Sequence, residues 1–503
     1  MASVGNIDLS GTAPFPPWTG AESPALYASG RSAGSTFIFL WLQSMTQRRF
    51  LLALAVAVAP AAPLHAQDSG LVATYRVPAD SLIRAATRDS AAYERIARLV
   101  DGFGHRQAGS RSLETAIDWI LSQMKKDGLQ NVRGEPVQVT HWVRGAESAV
   151  LVKPRLDTLH MLGLGGSIGT PKGGITAPVL VVSSFEDLQR RSAEARGKIV
   201  LFDVPFTEYE ETRRYRTDGP SAAAGLGAVA CLIRSVASFS LRSPHTGRTT
   251  YDSTVARIPA AALSVEDAMM LHRMQKRGEQ VVVSLMMGAR QLAPARSRNV
   301  VAELVGREEP NEVVVLGGHI DSWDVGQGAM DDAGGSVAAW EAVRLMKALG
   351  LRPRRTVRVV LWTNEENGIE GGRAYRDTHK AQLGRHVMAL ESDGGVFEPK
   401  GFAFAGSDSA AALVREAAAL LGAIGATSVE RVPESPEADI GPLVEQGVPG
   451  IGLRVEDSRY FWYHHTDGDT LDKLDPEEVA RCVAAMAVMA YVIADLPSGL
   501  PRF

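Results

Sequence analysis

Apolar residues recur with helical spacing in the segment that follows residue 110. The positions are Leu113, Ala116, Ile117, Ile120, Leu121 and Met124. This is the i, i+3, i+4, i+7 pattern of a helix with one buried face, and Gly128 supplies a stop signal. The pattern predicts a helix over residues 112–127 that packs into a core and carries no chemistry.

The pattern changes between residues 148 and 292. Short β-branched runs such as APVLVV, GKIVLFDV and VVVSLMM are separated there by Gly and Pro. Such runs are typical of buried strands bounded by turns, so we expect an inserted β-rich domain over 148–292. No group of metal-ligand or nucleophile residue types stands out in this segment. His245, within SPHTGR, is expected to be a surface-loop histidine and not a ligand.

From residue 298 onward, strand patterns alternate with helix patterns. The apolar run VVVLGG leads to His319, VRVVLW leads to Thr363, and HVMALES leads to Asp393. Later units are a helix near 408–422, a strand near 450–453 and a closing helix near 475–495. This alternation favours an α/β fold with a mostly parallel mixed sheet covered by helices on both faces. In such folds, ligand sites lie beyond the carboxyl ends of the strands.

The size and charge of the chain narrow the class of protein. At 503 residues it exceeds what one hydrophobic core normally organises, so two or more folded units are expected. Its formal net charge is -4, and its basic residues are scattered, which argues against a DNA or RNA partner. Cys231 and Cys482 are the two cysteines, and they predict neither a disulfide framework nor a cysteine metal site. Any metal must therefore be held by imidazole and carboxylate groups.

The first 66 residues have the features of a targeting segment. From Met45, MTQRRF is basic, LLALAVAVAPAA is an apolar run too short to span a bilayer, and PLHA ends in a small residue. We expect a signal peptide over 45–66, cleaved after Ala66, and a secreted or periplasmic protein. Residues 1–44 are expected to be a non-native or disordered extension. A membrane anchor is the alternative, but polar residues interrupt the apolar stretch, and no stable anchor is expected.

Acidic residues crowd the loop that follows the first of these strands. The segment GGHIDSWDVGQGAMDDAGG contains His319, Asp321, Asp324, Asp331 and Asp332. So many carboxylates repel one another unless a cation neutralises them or they bind protons. A metal site is the economical explanation, and a solvated acidic turn is the alternative.

Three further segments carry possible ligands. LWTNEENG places Glu365 and Glu366 after a strand, ESDGG places Asp393 after another, and YFWYHHTDGDT contains His464 and His465. Each segment alone is weak, and adjacent histidines rarely coordinate one ion with both rings, so one of them is expected to be structural. Together the segments predict a cluster of His, Asp and Glu at one edge of the sheet.

The order of these motifs resembles the co-catalytic zinc peptidases, the family that includes bacterial aminopeptidases and glutamate carboxypeptidases. The matching segments are HIDSWDVGQGAMDD, LWTNEENG, ESDGG and HHTDGDT, and the similarity extends over residues 90–500. The resemblance implies a zinc peptidase fold assembled from residues 67–147 and 293–503, with the insert as a protease-associated-like domain.

The resemblance also implies a ligand set for two Zn²⁺ per chain. The implied ligands are His319, Asp331, Glu366, Asp393 and His465. Asp331 would bridge the two ions, with His319 and Asp393 on one of them and Glu366 and His465 on the other. His465 is chosen over His464 because Thr-x-x-Asp-Thr follows it.

Other residues of these motifs would act around the metals. Glu365 would be the catalytic base, and Asp321 would orient His319 through its second ring nitrogen. The peptide bond between Asp331 and Asp332 is expected to be cis. Tyr463 is a candidate helper for the developing oxyanion.

These inferences predict a di-zinc exopeptidase that cleaves short unblocked peptides as a dipeptidase or carboxypeptidase, and that forms a homodimer. An aminopeptidase of the same family is the first alternative. A noncatalytic peptide-binding relative and a single-zinc acyl-transfer enzyme on the same scaffold are further alternatives.

A chain that begins at Gln67 should fold and keep full activity, because the residues before it show neither amphipathic periodicity nor candidate site residues. Thermal unfolding and peptide hydrolysis, compared with the 503-residue chain, test this expectation. Loss of folding in the shorter chain would mean that the leader is part of the domain.

Overall fold

Two eight-stranded sheets and a two-stranded ribbon organise residues 70–502, which are the residues that this computed structural model describes. The expected signal peptide and the extension before it lie outside the described residues. The strands are β1 (Gln130–Val139), β2 (Trp142–Val143), β3 (Glu147–Lys153), β4 (Asp157–Leu159), β5 (Met161–Gly163), β6 (Ile175–Val182), β7 (Ile199–Phe202), β8 (Ala230–Arg234), β9 (Ala260–Leu263), β10 (Val282–Met287), β11 (Arg290–Gln291), β12 (Ala295–Leu304), β13 (Glu309–His319), β14 (Arg355–Trp362), β15 (His386–Glu391), β16 (Pro399–Ala405), β17 (Ser428–Arg431) and β18 (Gly450–Val455). The helices are α1 (Gly70–Arg88), α2 (Ala91–Phe103), α3 (Arg111–Lys126), α4 (Phe185–Arg190), α5 (Ser192–Ala195), α6 (Tyr209–Thr217), α7 (Gly219–Gly225), α8 (Val265–Lys276), α9 (Gly334–Ala348), α10 (Glu365–Gly368), α11 (Glu370–Thr378), α12 (Asp408–Ala418), α13 (Gly441–Val444), α14 (Tyr460–Tyr463) and α15 (Pro476–Asp495).

Helix α3 confirms the helix expected from the apolar spacing. It begins after Ser110, whose side chain accepts a hydrogen bond from the Leu113 amide. Gly128 follows its end with a φ of 71°, a left-handed conformation that glycine adopts without steric cost. The buried residues of the helix fall on one face, as the pattern predicts.

The larger sheet runs in the order β1-β12-β14-β13-β15-β18-β16-β17. Strands β14, β13, β15 and β18 are parallel neighbours, whereas β1, β12 and β16 join the sheet through antiparallel pairs. One face packs on the main core, to which α1, α2, α3, α9 and α15 contribute, and the other face packs on a smaller core with residues of α11 and α13. The mixed α/β sheet covered on both faces is confirmed.

The second sheet lies between Glu147 and Met287 and has the order β4-β3-β10-β6-β7-β8-β9-β5. Strands β6, β7, β8 and β9 are parallel, and parallel strands need crossover connections, which here contain α4 to α7. The inserted segment is therefore more helical than its β-branched runs indicate, since the crossover helices are short and weakly patterned. Each face of this sheet has its own apolar core.

A fully buried cation, Arg106, holds the loop between β13 and α9. Its guanidinium donates hydrogen bonds of 2.7 to 3.0 Å to four main-chain oxygens, those of Gly104, Ile320, Gln327 and Gly328. Burial lowers the pKa of Arg106 to about 10, which still leaves it protonated at neutral pH. Three of these oxygens lie on the acidic loop, so Arg106 fixes the path of that loop.

Arg106→Leu should therefore lower the free energy of unfolding by roughly 3 to 5 kcal/mol, because it leaves several buried carbonyls without a donor. The exposed Arg98 of α2 is a matched control, and Arg98→Leu should change stability by less than about 0.5 kcal/mol. Urea unfolding of both variants measures the difference. Equal stability of the two variants would contradict this role of Arg106.

Candidate metal centre

Three parallel strands bring the candidate ligands to one edge of the larger sheet. His319, the last residue of β13, pairs with Trp362, the last residue of β14. Gly317 of β13 pairs with Glu391, the last residue of β15. Because the strands are parallel and in register, the residues that follow them emerge side by side.

The distances between donor atoms define two groups that share Asp331. His319 Nε2 lies 3.1 Å from Asp331 Oδ1 and 3.1 Å from Asp393 Oδ1. His465 Nε2 lies 3.1 Å from Glu366 Oε2 and 3.3 Å from Asp331 Oδ2. The Asp331 carboxylate thus turns one oxygen toward each histidine.

His464 lies at the margin of the second group. Its Nε2 is 3.6 Å from Asp331 Oδ2, and its ring stacks on that of His465 with centroids 3.5 Å apart. His464, His465 and Asp331 form a possible ligand group as well. Glu366 approaches His465 to 3.1 Å, so His465 has the more complete set of neighbouring carboxylates.

The donor set fits a borderline divalent metal ion. Two buried carboxylate oxygens, Asp331 Oδ2 and Glu366 Oε1, have no hydrogen-bond partner within residues 70–502. Two ligands of a tetrahedral zinc ion, bound at roughly 2.0 to 2.1 Å, lie roughly 3.3 Å apart, which is close to the contacts of His319 and His465. Imidazole and carboxylate are ligands that zinc accepts.

Burial makes the acidic side chains of this cluster hard to ionise without a cation. Burial raises the pKa of Glu366 to about 7, and the nearby charge of Asp331 adds to the effect. Burial also raises the pKa of Glu365 well above its usual range, with the charge of Asp393 as a further cause. A bound cation favours the charged forms and so opposes these shifts.

Asp332 and Asp321 hold the main chain around the candidate ligands. Asp332 accepts hydrogen bonds from the His319 amide at 3.0 Å and the Gly335 amide at 2.9 Å, and its peptide bond with Asp331 is cis, as expected. The carboxylate of Asp321 accepts from the Glu365 amide at 3.1 Å.

The contact between His319 and Asp321 differs from the expected one. His319 Nδ1 is 3.0 Å from the main-chain oxygen of Asp321 but 3.8 Å from its carboxylate Oδ1. The carboxylate is turned toward the Glu365 amide instead. The main chain of Asp321, and not its side chain, therefore fixes the His319 ring.

Tyr463 does not line the cavity above this cluster, contrary to its expected role near the oxyanion, whereas Tyr460 does. In a helical turn, residue i shares a face with i+4, and Tyr460 therefore points to the same side as His464. The Tyr460 hydroxyl donates to the main-chain oxygen of Asp393 at 3.2 Å. Tyr463 faces Lys473, whose ammonium lies 5.5 Å from the ring centre.

Two residues that support the centre lie outside the predicted set of site residues. Asp469, in the motif HHTDGDT, accepts hydrogen bonds from the amides of Ala329, Met330 and Asp331, at 2.7 to 3.2 Å. His245 is buried, so the surface-loop position expected from the sequence is wrong. Its Nδ1 donates to the main-chain oxygen of His464 at 2.7 Å. Burial lowers the pKa of His245 to about 3, so it is neutral at physiological pH. Either role becomes visible only from partners that lie far away along the same chain.

A cavity of about 660 Å³ opens onto the cluster. Asp331, Glu365, Glu366 and Asp393 line it, and so do residues of α6 in the segment that carries the second sheet. This volume is in the range of sites for small ligands. The arrangement can bind metal ions beside a small organic molecule.

Known proteins share the sequence and the fold. A family model described as peptidase family M28 matches residues 299–490. Carboxypeptidase Q of Mus musculus is 48% identical over 434 residues, which are 86% of this chain and 92% of that protein. The family resemblance expected from the motifs is thereby confirmed.

Solved structures agree with this result. The peptidase M28 precursor of Shewanella amazonensis SB2B superposes with a TM-score of 0.83 at 36% identity, over 85% of this chain and 98% of that one. A zinc aminopeptidase of Bacillus subtilis superposes with a TM-score of 0.59 at 20% identity, over 82% of this chain and 98% of that one, and so shares the fold.

Asp331→Asn should remove most of the bound zinc, because it takes away the negative charge of the carboxylate that lies between His319 and His465. Asp321→Asn should lower zinc affinity by at most ~10- to 100-fold, since it keeps the main-chain oxygen that holds His319. Zinc content by atomic absorption after dialysis distinguishes the variants. Equal zinc loss in both would contradict the assigned roles.

Proposed function

This chain belongs to peptidase family M28 and is a zinc-dependent exopeptidase, and we propose that it uses two zinc ions to cleave short peptides with free ends. The observation that carries the proposal is the placement of Asp331, with one oxygen toward His319 and the other toward His465. Each of these histidines has a second carboxylate beside it, from Asp393 and Glu366 respectively.

The proposed ligands follow from these contacts. His319, Asp331 and Asp393 would hold one ion, and Asp331, Glu366 and His465 would hold the other. When bound, the two ions lower the pKa of a water molecule and polarise the scissile carbonyl group.

Glu365 acts as the general base in this proposal. Its carboxylate lines the cavity beside the ligand Glu366, and its amide is fixed by Asp321 at 3.1 Å. Burial raises the pKa of Glu365, and bound cations would oppose this shift and keep its carboxylate ionised, as a proton acceptor must be. A carboxylate oxygen of Glu365 takes the proton of the attacking water and later delivers it to the leaving amine.

The substrate is a short peptide, and action as a dipeptidase or carboxypeptidase is the preferred proposal. A cavity of about 660 Å³ has room for a few residues and not for a folded chain. An aminopeptidase with the same metals is the alternative. Hydrolysis of free dipeptides, compared with that of N-blocked and C-amidated peptides, separates the two.

Export is a further part of the proposal and rests on the signal-like segment at 45–66. Among the helices of residues 70–502, none has both the length and the apolar character needed to cross a bilayer. The homodimer expected from the family resemblance stays a prediction, which size-exclusion chromatography with light scattering would test.

The two adjacent glutamates should respond differently to removal of charge. Glu365→Gln keeps the proposed ligands, so zinc content and KM should stay near those of the wild type while kcat falls by at least ~10² to 10⁴. Glu366→Gln weakens the coordination of one ion, so activity and zinc content should fall together and partly recover in excess zinc. Steady-state kinetics with parallel metal analysis provides the measurement.

The opposite result, with zinc lost from Glu365→Gln and kept by Glu366→Gln, would exchange the two roles. Unchanged kcat in Glu365→Gln would remove this residue from the mechanism. In either case the ligand assignment of Asp331 could still be judged from its own variant.

A further inference from the structure

Arginines of the inserted domain form one wall of the cavity above the metal centre. Arg213 and Arg216 come from α6, and Arg248 comes from the segment that precedes β9. The peptidase part of the lining contributes the carboxylates of the metal cluster and that of Glu437, together with the single cation Arg373. Three of the four arginines that line the cavity therefore come from the inserted segment.

Arg216 is the buried member of this wall, with a relative exposure of 5%. One Nη donates to the Tyr209 hydroxyl at 2.8 Å and the other contacts the main-chain oxygen of Thr246 at 3.4 Å. Its buried Nε has no hydrogen-bond partner in the described chain. None of the ion pairs within residues 70–502 includes Arg216, and a buried guanidinium without a counter-ion is unfavourable.

The other two arginines of the wall differ in their charge partners. Arg213 forms an ion pair of 2.5 Å with Glu210 on the same helix, so it already has a counter-ion. Arg248 is exposed and forms no ion pair within the part of the chain that the structure describes. Arg216 and Arg248 are thus the two cations of this wall that remain available for an anion.

Arg216 is also connected to the metal centre through Thr246. Thr246, which Arg216 contacts, donates its amide to the main-chain oxygen of His465 at 3.0 Å. An anion held by Arg216 would therefore lie within the same small cavity as the scissile bond.

We propose that Arg216, assisted by Arg248, binds the free α-carboxylate of the peptide substrate and so selects the residue on the leaving side of the scissile bond. The guanidinium fork suits a carboxylate, which can accept from Nε and one Nη together. Arg216 and Arg248 both belong to the segment that carries the second sheet, so a carboxylate bound there orients the peptide in one direction relative to the metal centre. This inference rests on the proposed exopeptidase function and makes carboxyl-terminal recognition its basis of specificity.

A purely structural role is the competing explanation for Arg216, because its contact with Thr246 helps to hold the loop next to His465. Loss of such support would harm every substrate alike. Loss of a carboxylate contact would harm only substrates that carry the carboxylate. The comparison between a free peptide and its amide therefore separates the two roles.

The test uses the zinc-loaded enzyme with Leu-Leu and with Leu-Leu amide. The wild type should prefer the free acid by roughly 10- to 100-fold in kcat/KM, and Arg216→Gln should remove most of this preference through a higher KM for the acid alone. Arg213→Gln is the matched control on the same helix and should keep the preference. Arg248→Gln should lower it less, because an exposed charge is screened.

Binding gives a second measurement that does not need turnover. Calorimetric titration of Glu365→Gln should show tighter binding of Leu-Leu than of its amide, and the double variant Glu365→Gln with Arg216→Gln should lose this difference. Arg373, which lines the cavity from the peptidase side, is the competing cation. Arg373→Gln should leave the preference in place.

Several results would overturn the inference. These are equal use of acid and amide by the wild type, an equal loss on both substrates in Arg216→Gln, and loss of the preference in Arg373→Gln instead. If the wild type cleaves neither peptide while Glu365→Gln still binds the acid more tightly, the proposed function fails and the carboxylate site stands. If the acid and the amide also bind equally, both fail.

Discussion

The desolvation of several carboxylates at one edge of the larger sheet is the constraint on which the rest of this structure depends. Burial raises the pKa of Glu366 to about 7 and also raises those of Glu365 and Asp393. Carboxylates in this position need a cation or protons, and the histidines between them provide donor atoms of the kind that zinc binds. The parallel strands explain why the cluster forms, since β13, β14 and β15 end side by side.

Other groups form hydrogen bonds with the main chain around the proposed metal ligands. The side-chain atoms of those ligands are therefore left to face the ions. Asp469 accepts from three consecutive amides that end at Asp331, and Asp332 accepts from those of His319 and Gly335. Arg106 donates hydrogen bonds to main-chain oxygens of the loop between β13 and α9. With these groups paired, the side-chain oxygens of Asp331 remain available for ligands. Such support is typical of sites that hold metal ligands in a fixed geometry.

The segment that carries the second sheet contacts the centre through its main chain as well as its charged side chains. His245 donates to the main-chain oxygen of His464, and the Thr246 amide donates to that of His465. The histidine segment is thereby hydrogen-bonded by residues that contribute no metal ligand to the proposed set. The same segment supplies arginines that line the cavity, so the position of a proposed metal ligand and the surface that would contact a substrate depend on each other.

The sequence by itself determined the alternation of strands and helices, the helix that became α3, and the residue types that follow each strand. These features are local, because apolar spacing and stop signals act over one or two helical turns. Only the tertiary structure decided that Tyr460 lines the cavity instead of Tyr463, that His245 is buried, and that Arg216 has no counter-ion among residues 70–502. Each of these outcomes depends on partners far away in the chain, and the spacing of residues in a segment contains no information about which distant groups will pack against it.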